Sequence, residues 1–420
     1  MAGHQVRHFI EPKKSNNKRT GEGFPRIQRI DNWLSSTMWA DLIFVTSNGK
    51  YIDRLEKFAK QGAKYFGPSV ASADLEIKRK SGMELLKKVG IDVPPFKTFK
   101  SLAEAEQYVW KHEERFVFKT LGDNEDKSLS YCAKSPADMI TRLRRWQDLG
   151  MNPKGEVMLQ TFIPGEEMGV SRWMGKEGWI GPPCINWEHK KVMSGNYGPN
   201  CGEQGTVMAY VEKEKMFDDV VAPLEKPLRD LGHLGDMDIN CIIDDKGKAW
   251  PLEFTTRPGW PAFNLMLEQH KGDPVQWMKD AIDGKNSLQA SYEIGVCVVL
   301  SQPDFPYGNL PKEDTEGIPI YGLHKGNLKH VQPSGVMIQK TADMDGEKIV
   351  ERDIWVTASE YIGVVTALGS TVKVAAKRAY KTVDELHVAN LIVRDDIGEG
   401  LEKGLPAIQK HGYAMGVKFE

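Results

Sequence analysis

The sequence predicts an α/β protein that ends in an α+β region, divided over two or three domains. Three observations carry this. A strand–helix–strand unit lies within residues 41–66, strand and helix patterns alternate from residue 71 to about 285, and strands then dominate until one long helix near the end. The 420 residues exceed what one ordinary core organises. The expected divisions are 1–70, a small α/β domain; 71–285, the central domain; and 286–420, an α+β domain.

Residues 1–40 are polar and irregular. Leu42, Ile43, Phe44 and Val45 then run together before Ser47-Asn48-Gly49, which reads as a buried strand ending in a turn. Residues 51–61 place Ile52, Leu55, Phe58 and Ala59 on one helical face. Residues 64–66 form the second strand, stopped by Gly67-Pro68. A single helix is expected over 71–89, closed by Gly90. Ser101 caps a helix to Trp110, with Glu104 completing a capping box. Strands RFVFKT (115–120) and EVMLQTF (156–162) flank a helix over 136–149. Residues 170–211 read as strands joined by the glycine-rich SGNYGPNCGEQG. After a helix near 220–231, MDINCII and AWPLEFT pair through the turn DDKGK, and a helix follows over 273–283. Beyond residue 291, YEIGVCVVL, GVMIQKT, IVERDIWVT and IGVVTALG are strands. The helix over 371–386 carries Val372, Ala375, Ala376, Ala379 and Val383 on one side.

Composition narrows the function. Apolar residues make up 40% and charged residues 27%, as in a folded globular chain. A net charge of -2 gives nucleic acid no electrostatic reason to be the main partner. The basic residues Lys13, Lys14, Lys18 and Arg19 read as a solvated end. The five cysteines are scattered without C-x-x-C spacing, which argues against a zinc site and for a reducing compartment. No apolar run suits a membrane span or a signal peptide, so a cytoplasmic protein is expected.

The residues suggest three pieces of chemistry. Asp238 and Asn240 alternate on one strand of the DDKGK pair, and Glu253 and Thr255 on the other; period 2 brings each pair to one face. Such a cluster needs a partner, and a hard cation such as magnesium, shared with nucleotide phosphates, supplies one. A solvent-facing polar strand explains the bare spacing equally well. Lys119 follows three apolar strand residues; a phosphate would pair with it, or its head reaches water. EVMLQTF is followed by Gly165-Glu166-Glu167, an apolar strand for a base with a carboxylate for ribose hydroxyls.

These pieces come in a definite order, together with KYFGPSVASADLE, FIPGEE, EHKKV followed by YGPNCGEQG, PLEFTTRPG, YEIGVCVVLSQPDFPYG, YIGVVTALGSTVKVAAKRAY and VRDDIG. On these stretches, from about Asp41 onward, the chain resembles the ATP-grasp superfamily and, within it, the phosphoribosylamine–glycine ligases. The resemblance implies a two-lobed ATP-grasp domain over 71–285, between a shortened N-terminal α/β domain and a C-terminal α+β domain. It implies ATP and Mg2+ as cofactors. By it, Arg79, Lys119 and Lys127 bind phosphates; Gln160, Thr161 and Phe162 form the hinge that reads adenine, largely through backbone; and Glu167 takes the ribose. Glu253 becomes the metal ligand, with Asn240, Asp238 or Thr255 adding oxygen. Arg257 orients a substrate carboxylate or phosphate, and it and Lys119 are the expected catalytic residues.

The implied reaction is carboxylate attack on the γ-phosphate, then displacement of phosphate from the acyl phosphate by an amine. Small-molecule partners are expected, a small amino acid such as glycine and an amine acceptor, bound by a monomer or homodimer. The acceptor is expected to differ from phosphoribosylamine. Residues 1–40 do not match the family's glycine-rich phosphoribosyl loop, and Gly259-Trp260-Pro261-Ala262 stands where the family has Gly-Asp-Pro-Glu. His189, within EHKKV, is expected to be solvent-exposed or structural rather than catalytic. Two alternatives stay open: a non-catalytic nucleotide-binding derivative, and an authentic purine-biosynthesis ligase.

Overall fold

The computed structural model describes residues 3–10, 19–47, 49, 51–121, 130–151, 153 and 155–420. The N-terminal stretch read as irregular contains two short strands, β1 (Val6–His8) and β2 (Ile27–Arg29), paired in parallel. Three-residue strands with exposed side chains leave no apolar periodicity to read. The unit of β3 (Ile43–Phe44), α1 (Ile52–Lys60) and β4 (Tyr65–Phe66) forms as expected, its strands parallel.

The helix expected over 71–89 is two helices, α2 (Val70–Ile77) and α3 (Arg79–Lys88). They meet at Lys78, whose φ of -99° and ψ of 75° leave the helical region. Gly82 explains the break, because a Cβ there would lie 2.6 Å from the Leu75 carbonyl and 2.8 Å from the Phe254 ring. The chain turns back so that α3 can press on α2, and Arg79 enters the interior.

A small lobe follows: β5 (Phe96–Phe99), α4 (Leu102–Val109), β6 (Phe116–Thr120), β7 (Tyr131–Cys132), α5 (Pro136–Asp148) and β8 (Val157–Thr161). Its sheet has the order β5-β8-β6-β7. Phe116, Phe118, Leu143, Trp146, Val157 and Leu159 make its core. Ser101 accepts from the Glu104 amide at 3.2 Å, as the capping box requires, while Glu104 accepts from the Lys100 amide at 3.0 Å.

The large sheet is built from β9 (Glu166–Gly175), β10 (Gly178–Glu188), β13 (Gly205–Tyr210), β14 (Gly235–Ile243), β15 (Ala249–Thr255), β18 (Ile294–Ser301), β19 (Val331–Pro333) and β22 (Tyr361–Gly369). Its order is β15-β14-β9-β10-β13-β18-β22-β19. One sheet thus crosses residue 285, because β18 pairs with β13. Between β10 and β13 lies the hairpin β11 (Lys191–Met193) and β12 (Tyr197–Asn200). The remaining elements are α6 (Glu225–Asp230), α7 (Ala262–Gln269), the pair β16 (His270–Lys271) and β17 (Gln289–Ala290), α8 (Pro274–Ile282), α9 (Lys312–Thr315), the hairpin β20 (Val336–Asp345) and β21 (Lys348–Thr357), α10 (Val372–Asp384) and α11 (Leu401–Gln409). Val170, Ile185, Val207, Ile239, Val296 and Val365 belong to one apolar cluster. Trp173, Met208, Leu265, Trp277 and Cys297 belong to another, which also takes in Phe66 of β4. Among the described residues no helix is long and apolar enough to cross a membrane.

Candidate functional site

The paired strands β14 and β15 set the geometry. Asn240 lies directly opposite Glu253, and Asp238 opposite Thr255. All four share a sheet face, as period 2 requires. On β9, Gly169 pairs with both Asn240 and Asn186. A Cβ at Gly169 would meet the Asn186 amide at 2.4 Å, so glycine leaves the space that this side chain fills.

Glu253 is half-buried and accepts from Arg79 Nη1 at 2.6 Å. Burial alone would raise its pKa, but Arg79, then Lys119 and Lys190, hold the carboxyl well below the usual range. Lys119 on β6 faces the same charges. Burial first, then Arg79, lower its pKa to about 7, although Glu253 and Glu167 act the other way. Lys190, just past β10, pairs with Glu167 and lies 3.3 Å from Glu188. Burial opposes its charge, yet Glu167, Glu188 and Glu253 push its pKa well up. Three cations and three carboxylates from separated parts of the chain therefore converge.

Asn240 Nδ2 donates to Glu188 Oε2 at 3.1 Å, which leaves its oxygen as an acceptor. Asn186 Nδ2 donates to Asp238 Oδ2 at 2.5 Å. Asn186 Oδ1 and Asp238 Oδ1 are buried without a hydrogen-bond partner among the described residues. Burial first, then Glu188, raise Asp238 to about 7. No three Asp, Glu, His or Cys side chains among the described residues group as a complete metal cage. The oxygen donors that do converge (Glu253, Asn240 and Glu188) fit magnesium, which takes one or two carboxylates and fills its shell with phosphate and water.

The other expected residues fall in several places. Gln160 is buried in β8 between Phe96 and Val117. The amides of Thr161 and Phe162 donate to the carbonyls of Pro95 and Arg115, both at 2.8 Å. A base read through this backbone would meet their carbonyl oxygens, since these two donors are committed. Arg115 also stands 3.5 Å over the Phe162 ring. Glu167 is exposed and engaged with Lys190. Arg257 Nη2 donates to Glu76 Oε1 at 3.2 Å, and Glu76 also accepts from the Thr256 amide at 2.8 Å. Thr255 is half-buried opposite Asp238. Lys127 lies outside the described residues. His189 is engaged within the fold: Nε2 accepts from the Gly398 amide at 3.1 Å, and burial, then Arg394, lower its pKa to about 4.

Sequence reasoning passed over Lys190, Glu188, Asn186 and Glu76. Lys190 stands inside the EHKKV stretch, so a signal existed for it. Glu76 likewise closes the KYFGPSVASADLE stretch, but its pairing with Arg257 had no signal, because the two meet only through the packing of α2 on β15.

A scan of protein-family models finds no match. The phosphoribosylamine–glycine ligase of Lactococcus lactis is 25% identical over 410 residues, spanning 93% of this chain and 92% of that one. The crystal structure of the Thermotoga maritima phosphoribosylamine–glycine ligase superposes with a TM-score of 0.68 at 18% identity, covering 94% of this chain and 100% of that one. The biotin carboxylase domain of Hydrogenobacter thermophilus 2-oxoglutarate carboxylase, solved with MgADP, gives 0.57 at 13% identity over 86% of this chain and 77% of that one. The fold is that of the ATP-grasp proteins.

Proposed function

We propose that this chain is an ATP-dependent carboxylate–amine ligase that forms an acyl phosphate and ADP, then an amide. The supporting observation is the convergence of Arg79, Lys119 and Lys190 on Glu253, from both lobes, beside the oxygen donors of β14 and β10. Relatives named phosphoribosylamine–glycine ligase agree with it. The carboxylate partner is a small amino acid such as glycine, and the amine is an acceptor other than phosphoribosylamine.

In this reading Arg79, Lys119 and Lys190 neutralise the phosphates as charge shifts to the leaving ADP. Glu253, Asn240 and Glu188 would hold Mg2+, which when bound neutralises phosphate charge as a Lewis acid. Gln160 and the Thr161–Phe162 carbonyls border the base, and Glu167 the ribose. Arg257, steadied by Glu76, orients the substrate carboxylate or phosphate through its planar fork. Positioning and charge carry the rate, and no side-chain nucleophile is needed.

The test is a screen for amino-acid-stimulated ADP release with Mg-ATP and candidate amines. Stimulation by one amino acid and one amine class is expected. ATP binding without ADP release in every mixture would overturn the reading in favour of a non-catalytic nucleotide binder. Ordinary turnover with glycine and phosphoribosylamine would overturn the choice of acceptor.

Lys119 adds a pH prediction. It is charged below about pH 7 in the free protein and loses its proton as the pH rises through that value. A non-hydrolysable ATP analogue should bind best below pH 7 and weaken above it, by at most roughly tenfold per pH unit. Calorimetry across pH 6 to 9, as a chosen range around that value, measures this, and Lys119→Arg should flatten the profile because arginine stays charged. The unfolded chain keeps this proton to the ordinary lysine range. The same group therefore costs stability at low pH, and that cost fades as the pH rises past 7.

A further inference from the structure

A short segment near the C-terminal end, residues 394–398, holds the loop 189–204 that carries Lys190. Arg394 is 1% exposed. Its Nε and Nη2 donate to the two oxygens of Asp396 at 2.5 and 3.1 Å. Nη1 donates to the Lys191 carbonyl at 3.1 Å, and Nη2 to Asn196 Oδ1 at 2.8 Å. Asp396 Oδ2 accepts from the Gly195 amide at 2.8 Å. The Ser194 hydroxyl donates to Asp395 and accepts the Asp395 amide at 3.2 Å. At the foot of the loop the Gly398 amide reaches His189. Tyr380 braces the segment from α10, its hydroxyl donating to the Arg394 carbonyl and accepting from the Ile397 amide, both at 2.9 Å.

The two ends of the loop are also held, by the buried Glu203 and Gln204 and by backbone bonds between His189, Gln204 and Gly205, but its middle has less to fix it. Every residue of β12 is exposed. Gly195, Asn196, Gly198 and Gly202 all have positive φ, and Val192 is the loop's one largely buried hydrophobic side chain. A two-pronged pairing with a carboxylate sets both distance and direction, which a single point charge does not. Asn196, Glu188 and His189 line a cavity together with Glu167, Asn186 and Leu401. Lys190 pairs with Glu167 and Glu188, two of the residues that line it.

We propose that Arg394 and Asp396 are positioning residues of the site: by clamping the β11–β12 hairpin they hold Lys190 against Glu167 and Glu188, where it faces the phosphoryl group in transit. This rests on the ligase reading above. The clamp touches no reacting atom and acts through Lys190.

Arg394→Gln, Arg394→Lys and Asn196→Gly decide it, read by hydrogen exchange, ATP-analogue affinity and steady-state kinetics. Arg394→Gln should speed exchange across 189–204 and lower kcat for ADP release by about tenfold or more, since small misplacements weigh heavily on transfer. ATP-analogue affinity should fall less than kcat, because Arg79 and Lys119 keep their places. Arg394→Lys keeps the charge without the fork and should not rescue kcat. Asn196→Gly removes one contact at an exposed, positive-φ position that glycine accepts. It should give a smaller loss in the same direction, and it remains informative if the Arg394 variants fold poorly. Parental kcat in Arg394→Gln, full rescue by Arg394→Lys, or unchanged exchange in the loop would each overturn the proposal. If the parent itself releases no ADP in any mixture, the ligase reading fails; if the parent is active and the variants match it, only this inference fails.

Discussion

Glu253→Ala is expected to lower amino-acid-stimulated ADP release by on the order of 10²- to 10³-fold, the range for removing one preorganised charge partner from a reacting centre. The carboxylate serves two sides. In the proposed reading it is an oxygen donor to magnesium, and it pairs with Arg79 at 2.6 Å while balancing Lys119 and Lys190. Removing it leaves three cations facing one another, so Lys119 should lose its proton at a still lower pH. Glu253→Gln preserves shape without charge and should fall nearly as far. At a pH low enough to keep Lys119 charged, the same variants should bind an ATP analogue without magnesium about as well as the parent, because their phosphate-binding cations remain. A coupled ADP assay and calorimetry measure both. A rate within about tenfold of the parent would remove Glu253 from the metal and phosphate site.

Trp173→Ala should destabilise the fold by about 3–5 kcal/mol, the usual cost of truncating a buried aromatic side chain. Trp173 is fully buried, stacks on Phe66 at 5.9 Å, and meets Trp277 edge-on at 5.0 Å. Its indole donates to the Tyr210 hydroxyl at 3.2 Å, and that hydroxyl reaches His270 Nε2 at 2.7 Å. Truncation leaves both a void and a buried hydroxyl short of a partner. Phe66 belongs to the N-terminal unit, so residues 41–70 should also become more open to protease. Urea unfolding and limited proteolysis measure these effects; an unchanged midpoint would show that the cluster can collapse around the gap. Trp173→Phe, which keeps most of the ring, should cost less.

Much of the fold was legible in the chain. Regular patterns marked β14, β15 and α10, and a continuous apolar run marked β18, which is buried on both faces. Ser101, Ser135 and Asp273 all accept backbone amides at helix starts, as short polar residues do there. The break at Lys78 was not legible, since the contact that forces it, Gly82 against Phe254, joins residues far apart in sequence. The strand expected to serve as the hinge was legible, but not the commitment of the Thr161 and Phe162 amides to Pro95 and Arg115.

The candidate site divides in the same way. Alternation along two strands joined by a short turn brought Asp238, Asn240, Glu253 and Thr255 to one face, and the register agrees. That much the sequence determined by itself, because strand geometry is local and repeats every two residues. Only the tertiary structure decided which charges meet: Arg79 with Glu253, Lys190 with Glu167, and Arg257 with Glu76. Charges act through space. Their energies depend on separation and burial after packing, and neither quantity is written in spacing along the chain.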